Sequence, residues 1–323
     1  MIGGLGLYES SCHDPYYNLA VEQHLLESVH DRCILYLWQN ENTVVIGRNQ
    51  NPWKECATTL LQQEGGRLAR RLSGGGAVFH DLGNLNFTFL MPQEDFDIGR
   101  QLAVIQRGVC SLGISAEKSG RNDILAGGRK FSGNAFYKNG WQAYHHGTLL
   151  VDADMAKLCR YLNPSKAKLQ SKGVDSVRSR VVNLRQLNPK ITVSALKDAL
   201  KAAFQEVYGL NAEPMVESEL DTQRIEELTQ RNRSWDWNFG QKLPFSAECE
   251  DRFSWGCVQL QLQIENGCIQ QAKIYSDAMD WAFAPELEAT LTGCRFERNA
   301  LALRLTGNAM AEDIYRMLCR DCL

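Results

Sequence analysis

The sequence predicts an α+β fold in two domains, spanning residues 1–243 and 244–323. Strand-like and helix-like segments are interspersed without a regular strand–helix–strand rhythm, which argues against a doubly wound parallel sheet. A chain of 323 residues suits one large or two ordinary domains. The tryptophan-rich stretch from Ser234 to Gly240, ending at Pro244, then separates two differently patterned regions.

The elements follow in chain order. Asp14-Pro15 starts the first helix, with a side-chain acceptor at the N-cap and proline in the first turn. Leu19, Leu25, Leu26 and Val29 then fall largely on one helical face. Cys33–Trp38 and Thr43–Ile46 read as short buried strands, joined as a hairpin through the polar Asn40-Glu41-Asn42. Pro52 to about Gln63 reads as helix, and Arg67–Leu72 as a strand feeding a glycine loop. Asn84–Phe89 alternates polar and apolar residues, the pattern of a half-buried strand. Leu102–Leu112 and Val193–Tyr208 read as amphipathic helices, the second ended by Gly209. Beyond Pro244, Val258, Leu260, Leu262 and Ile264 alternate with polar residues. Asn266-Gly267 then signals a hairpin turn, and Ile269 begins the return strand. Helical stretches at Pro285–Leu291 and Ala309–Cys319 are expected to cover one face of that hairpin.

A hydrophobic content of 44% with 23% charged residues is ordinary for a globular protein. The net charge of −3 argues against a nucleic-acid partner, which needs a strongly basic surface. From Pro244 onward 12 acidic residues face 7 basic ones, so the cationic residues concentrate in the first domain. No apolar run approaches a membrane span, and Met1-Ile2-Gly3-Gly4-Leu5 lacks the charged start of a signal peptide. With eleven scattered cysteines, this predicts a cytoplasmic protein with free thiols and no membrane partner. Cys319 and Cys322 have metal-ligand spacing but no second pair, and they receive no role.

The richest stretch is Arg70–His80, in which Ser73 precedes three glycines and two arginines stand upstream. Without Cβ atoms, successive backbone amides can close on an anion. The same residues also suit a flexible turn with arginines on a solvated face, and composition leaves both readings open. Three more small, polar, cationic clusters follow: Gly120–Asp123 with Gly127–Ala135, Tyr144–Leu150, and Ser171–Val181. Backbone amides, a fixed ammonium and a carboxylate for Mg²⁺ are the parts needed at a carboxyl-phosphate centre. Taken singly, Lys130 is a solvated lysine and Asp123 a turn cap. His145 and His146 face opposite ways on a strand, so one of them suits a buried, hydrogen-bonded position. The absence of HExxH, GxSxG and paired CxxC motifs weighs against metallopeptidase, hydrolase and zinc-module readings. GxxxxGK[ST] is missing too, so a nucleotide must be held another way.

Through these residues the chain resembles the bacterial lipoate–protein ligase A family. The resemblance rests on Asn18–Glu22, Val44–Cys56, Arg70–Asn84, Gly120–Asp123, Arg129–Gly133, His145–Leu150 and Ser171–Val181. It runs from about Tyr8 to Asn183 and continues more weakly through Trp235–Gly240. It implies a biotin/lipoate-ligase-like, class II synthetase-like catalytic domain over 1–243, with a mixed sheet and flanking helices. A small α+β accessory domain would occupy 244–323 and act as a lid between half-reactions. The implied reaction joins free (R)-lipoate to ATP with Mg²⁺, giving lipoyl-adenylate and pyrophosphate. The lipoyl group then passes to a lysine of lipoyl domains of 2-oxoacid dehydrogenase E2 subunits or of glycine-cleavage H protein. Matched by motif, Arg71, Gly76, Ala77, Val78, Phe79 and Lys130 would contact ATP. Lys130, Arg70, Ser73, Gly75, His80 and His146 would contact lipoate, and Asp123 would hold Mg²⁺. Lys130 would be catalytic, because an ammonium between carboxylate and α-phosphate offsets their repulsion and the charge that grows during attack. The connection from Asp123 to Lys130 is shorter than in the best-known members.

Competing readings remain at this level. A biotin ligase shares the implied fold but usually carries a GRGRxGR-like loop, where this chain has Arg70–Gly76. A lipoyl or octanoyl transferase would use a preactivated acyl donor or a cysteine nucleophile, yet Cys110 and Cys159 fall in helical stretches away from the motifs. The mitochondrial lipoyltransferase branch is nearer, though Ser171–Val181 looks bacterial. A non-catalytic nucleotide-binding regulator would have little need of Lys130.

Overall fold

Strand propensity and alternation sort this chain into one large and two small sheets in the computed structural model, which describes residues 2–119, 123–162, 181–240 and 245–322. The large sheet has the order β11 (Ala212–Pro214), β1 (Gly4–Glu9), β2 (Arg32–Trp38), β6 (Asn84–Pro92), β10 (Gln142–Leu150), β9 (Arg129–Lys138), β8 (Asp123–Ala126) and β7 (Glu117–Ser119). β1 runs parallel to β11 and β2, and the remaining neighbours are antiparallel. Such a mixed sheet is the α+β architecture expected. A small sheet sets β3 (Thr43–Ile46) between β4 (Arg67–Arg70) and β5 (Val78–His80).

One face of the large sheet forms the main core. Leu35, Leu37, Leu85, Phe87, Phe89 and Met91 pack in one cluster with Val104, Ile105, Leu196, Leu200 and Phe204. The last five lie on helices Ile98–Ser111 and Val193–Tyr208, the second capped by Thr192 and ended by Gly209 at φ 68°. Helix Pro15–Ser28 covers the other face, and Thr222–Arg233 packs along it. Asp14 caps its start by accepting from the Tyr16 amide at 2.9 Å, with Pro15 in the first turn.

The chain divides into two compact units. The first comprises Met1–Val45, Trp53–Arg70 and Ala77–Asn238, and the second Ile46–Pro52, Arg71–Gly76 and Phe239–Leu323. The second unit contains an antiparallel sheet of β12 (Ala247–Phe253), β13 (Gly256–Glu265) and β14 (Cys268–Ser276). Asn266-Gly267 turns between the last two with φ of 51° and 72°, as expected of a two-residue hairpin loop. Helices Phe283–Leu291 and Ala309–Asp321 supply the core expected of them, and Arg298–Arg304 adds Leu301.

Three local expectations change. β2 and β3 are not a hairpin, because β2 pairs with β1 and β6 while β3 pairs with β5. The polar run between them instead crosses from one sheet to the other, with Glu41 exposed and Asn42 half-buried. Asn40 is fully buried, and its Oδ1 accepts from Asn18 Nδ2 at 3.0 Å. The helix expected from Pro52 to Gln63 is two short ones, Pro52–Glu55 and Thr58–Gln63. It breaks where Cys56 bridges to Leu162 and the Ala57 amide donates to Tyr161 O at 2.9 Å. The third change is β6, which is buried on both faces rather than one. All eleven cysteines are free thiols. Among the described residues, no helix is long and apolar enough to cross a membrane.

Candidate active site

Strand β10 decides which polar side chains meet. Its register with β6 sets His146 opposite Thr88, Thr148 opposite Asn86 and His145 opposite Phe89. Neighbouring residues point to opposite faces, so His146, Thr148, Thr88 and Asn86 share one face and His145 lies on the other. On β9, Ala135 stands opposite His146, and on β8 Asp123 stands opposite Gly133. The shared face therefore extends from Thr88 across to Asp123.

Helix Pro15–Ser28 lowers a carboxylate onto that face. Glu22 is buried, and its Oε1 lies 2.8 Å from His146 Nδ1. It also accepts from Thr88 Oγ1 at 2.7 Å, and that hydroxyl accepts from Trp38 Nε1 at 3.1 Å. Buried polar groups persist when they are paired in this way. Trp38 then stands edge-on to His80, with ring centroids 6.1 Å apart. Asn40 lies between Asn18 and His80, with its Oδ1 3.0 Å from Asn18 Nδ2 and its Nδ2 3.1 Å from His80 Nδ1.

The other end of the face holds a cation. β8 and β9 are joined by Gly127-Gly128 alone, with φ of 56° and 73°, a two-residue turn open to glycine. This is the short connection seen in the sequence, and it returns Lys130 beside Asp123. Lys130 Nζ lies 2.6 Å from Asp123 Oδ1, with the two side chains 35% and 36% exposed. The ammonium is thus held but reachable from solvent. Thr148 Oγ1 lies alongside and accepts from the Gly133 amide at 3.4 Å.

His145 is a core residue, as one of the two histidines was expected to be. Its ring nitrogens meet the Gln101 and Asn134 side chains at 2.9 and 2.8 Å. Burial, and secondarily the neighbouring His146, pushes its pKa down to about 3 and keeps the ring neutral.

The remaining motif residues are placed as follows. Arg70 donates to the carbonyls of Trp237 and Asn238 at 2.9 and 2.5 Å, and Trp237 Nε1 donates back to Arg70 O. Phe79 is buried against Tyr161, which leaves its ring inside the fold. Ala77 and Val78 lead into that strand. In the second unit, Arg71 staples the glycine loop by donating to Ser73 Oγ, Gly74 O and Gly76 O at 3.0, 2.8 and 2.7 Å. The Gly75 amide, read from the sequence as an anion donor, donates to Ala278 O at 3.0 Å. Gly75 has φ of 87°, and a Cβ on Gly74 would stand 2.3 Å from Ala278 O. Gly76 has open space around it. Gly120–Asn122, Ser171–Arg180 and Pro244 lie outside the described residues.

Sequence reasoning missed the roles of Glu22, Thr88, Trp38 and Thr148. A usable signal existed in Asn18 and Glu22, two polar residues one turn apart among Leu19, Val21, Leu25 and Leu26.

A family model for the lipoyl protein ligase A/B catalytic domain matches residues 14–205, and one for the bacterial lipoate protein ligase C-terminus matches residues 242–317. The chain belongs to the lipoyl protein ligase A/B family. Among solved structures, LipL1 of P. falciparum in complex with lipoate aligns with a TM-score of 0.88 and 26% identity, over 98% of this chain and 100% of that one. The bipartite lipoate protein ligase of Thermoplasma acidophilum, studied with its E2 lipoyl domain, gives 0.66 and 26%, over 76% and 100%. A lipoate-protein ligase A bound with ATP gives 0.64 and 27%, over 74% and 99%.

Proposed function

We propose that this chain is an ATP-dependent lipoate–protein ligase acting through lipoyl-adenylate. The observation that carries the reading is the reachable Lys130 ammonium, paired with Asp123 on the face where the buried Glu22–His146 pair ends. The family match and the lipoate-bound and ATP-bound relatives support it.

A lipoate carboxylate and the α-phosphate of ATP repel each other before they react. Lys130, released from Asp123, lies between them and offsets both that repulsion and the charge that builds during in-line attack. A carboxylate oxygen bonds to the α-phosphorus, and pyrophosphate leaves. In the second half-reaction an acceptor lysine amine attacks the acyl carbon, AMP leaves with the electron pair of the broken C–O bond, and the amide forms as the nitrogen gives up its proton to solvent. Mg²⁺ with nucleotides takes one or two protein carboxylates plus phosphate oxygens, a demand that the single carboxylate of Asp123 fits. Bound there, it would neutralise phosphate charge. In this reading Arg71, Gly76, Ala77, Val78 and Phe79 serve ATP through backbone and guanidinium, while Arg70, Ser73, Gly75, His80 and His146 serve lipoate. The residues from 244 onward form the accessory domain. The acceptors are lipoyl domains of E2 subunits, in keeping with the archaeal relative, and glycine-cleavage H protein. The eleven free thiols suit a reducing cytoplasm.

The test is ATP–pyrophosphate exchange with and without lipoate. A ligase exchanges label only when lipoate is present, and then lipoylates a lipoyl domain. A transferase would lack exchange yet accept preformed lipoyl-adenylate, and a regulator would bind ATP without either activity.

A further inference from the structure

We infer that Gly133 and the β-bulge at Phe131 are the device that aims Lys130, which makes Gly133 a positioning residue for the proposed ligase reaction. The inference rests on that reading of Lys130.

On a regular strand, residues three apart point to opposite faces. Lys130 and Gly133 should therefore never meet. The ladder between β8 and β9 shifts between Ile124 and Leu125, so that Ile124 pairs with Ser132 while Leu125 pairs with Lys130. Phe131 is the extra residue, and a bulge of this kind re-aims the side chains on either side of it. Its own ring stays fully buried in the core. Lys130 is thereby turned to the face that carries Asp123, Gly133 and Thr148.

Gly133 then gives the ammonium somewhere to lie. A Cβ placed on Gly133 would stand 3.0 Å from Lys130 Nζ, 3.2 Å from its Cε and 3.9 Å from Thr148 Oγ1. The backbone does not ask for glycine here, since Gly133 is not among the residues with positive φ. The nearest atoms are also the far end of a flexible side chain, so an added methyl leaves the fold room to adjust. A glycine inside a strand costs stability unless something must approach closely. Here the approaching group is the ammonium.

Gly133→Ala should push Nζ and Cε aside by a few tenths of an ångström, a fraction of the roughly 1 Å misplacement that costs on the order of 10²-fold in rate. The experiment is a double-mutant cycle with Lys130→Ala, read by lipoate-dependent pyrophosphate exchange and by thermal melting. Gly133→Ala alone should lower kcat about 5- to 10-fold with a melting temperature near that of the parent. In the Lys130→Ala background it should change the residual rate less than about 2-fold, because the group it acts through is gone. An equal loss in both backgrounds would make Gly133 a structural residue and overturn the inference. So would parental exchange in Gly133→Ala beside a defective Lys130→Ala. Full exchange in Lys130→Ala would instead remove the lysine assignment itself, and this inference with it.

Discussion

The two faces of the large sheet treat adjacent residues of one strand in opposite ways. On the core face, His145 has its two nitrogens held by Gln101 and Asn134 and its ring among Phe87, Phe89 and Phe136. On the other face, His146 meets a buried carboxylate, and the same surface ends in an ion pair about a third exposed. The buried polar groups around His145 on the core face are consumed by one another. The opposite face begins with the same buried pairing at Glu22 and grades into groups that can exchange partners, which is what a ligand-binding surface requires. Polarity in the sequence marks both faces equally; access to solvent separates them.

The largest expected effect tests the exposed end of the contrast. Lys130→Ala should cut lipoate-dependent exchange by about 10²–10³, equivalent to roughly 2.7–4 kcal/mol of barrier. Its melting temperature should stay close to the parent's, because exposed ion pairs contribute little to stability. Exchange near the parental rate would sink the assignment of Lys130.

A smaller effect is expected at the buried end. Glu22→Ala leaves Thr88 Oγ1 and His146 Nδ1 without their acceptor, and an unmade buried hydrogen bond costs about 1–3 kcal/mol. Glu22→Gln keeps an acceptor oxygen and should lose distinctly less. Urea unfolding of both variants checks this ordering. Identical losses would mean that Glu22 acts there through its charge and not through hydrogen bonding.

Much of this was legible in the sequence, and the gaps have physical reasons. The Asp14-Pro15 helix start, the Gly209 stop and the Asn266-Gly267 turn were readable because each is set by local backbone chemistry. The motif at Arg129–Gly133 marked Lys130 without showing how it is aimed, since a bulge depends on the register of a second strand. Strand β6 was misjudged for a similar reason. Its alternation of Asn84, Asn86 and Thr88 with Leu85, Phe87 and Phe89 looks like one wet face, yet helix Pro15–Ser28 brings Glu22 to satisfy Thr88 and bury it. Alternation reports chemical character, and only tertiary contact decides exposure. The glycine loop shows the same limit: its flexibility was readable, but the carbonyl of Ala278, about two hundred residues away in sequence, was not.

The smallest effect concerns His145, where the contrast becomes a dependence on pH. Burial holds its pKa at about 3 in the folded protein, against 6.5 for an ordinary histidine. Between those values the unfolded chain binds a proton that the native ring excludes, so stability must rise with pH across this window. The contribution is complete above about pH 6.5 and is lost as the pH falls toward 3. Lowering the pH from 7 to 5.5 should therefore remove about 1 kcal/mol of stability through this one group. His145→Gln carries no titrating ring. It should be less stable at pH 7, having lost a fitted core side chain, yet it should show a shallower decline on acidification. Urea midpoints of the two proteins at pH 7 and 5.5 give the comparison directly. Parallel declines would show that the native protein admits the proton at His145, and the core face would then be no more closed to charge than the face that carries Lys130.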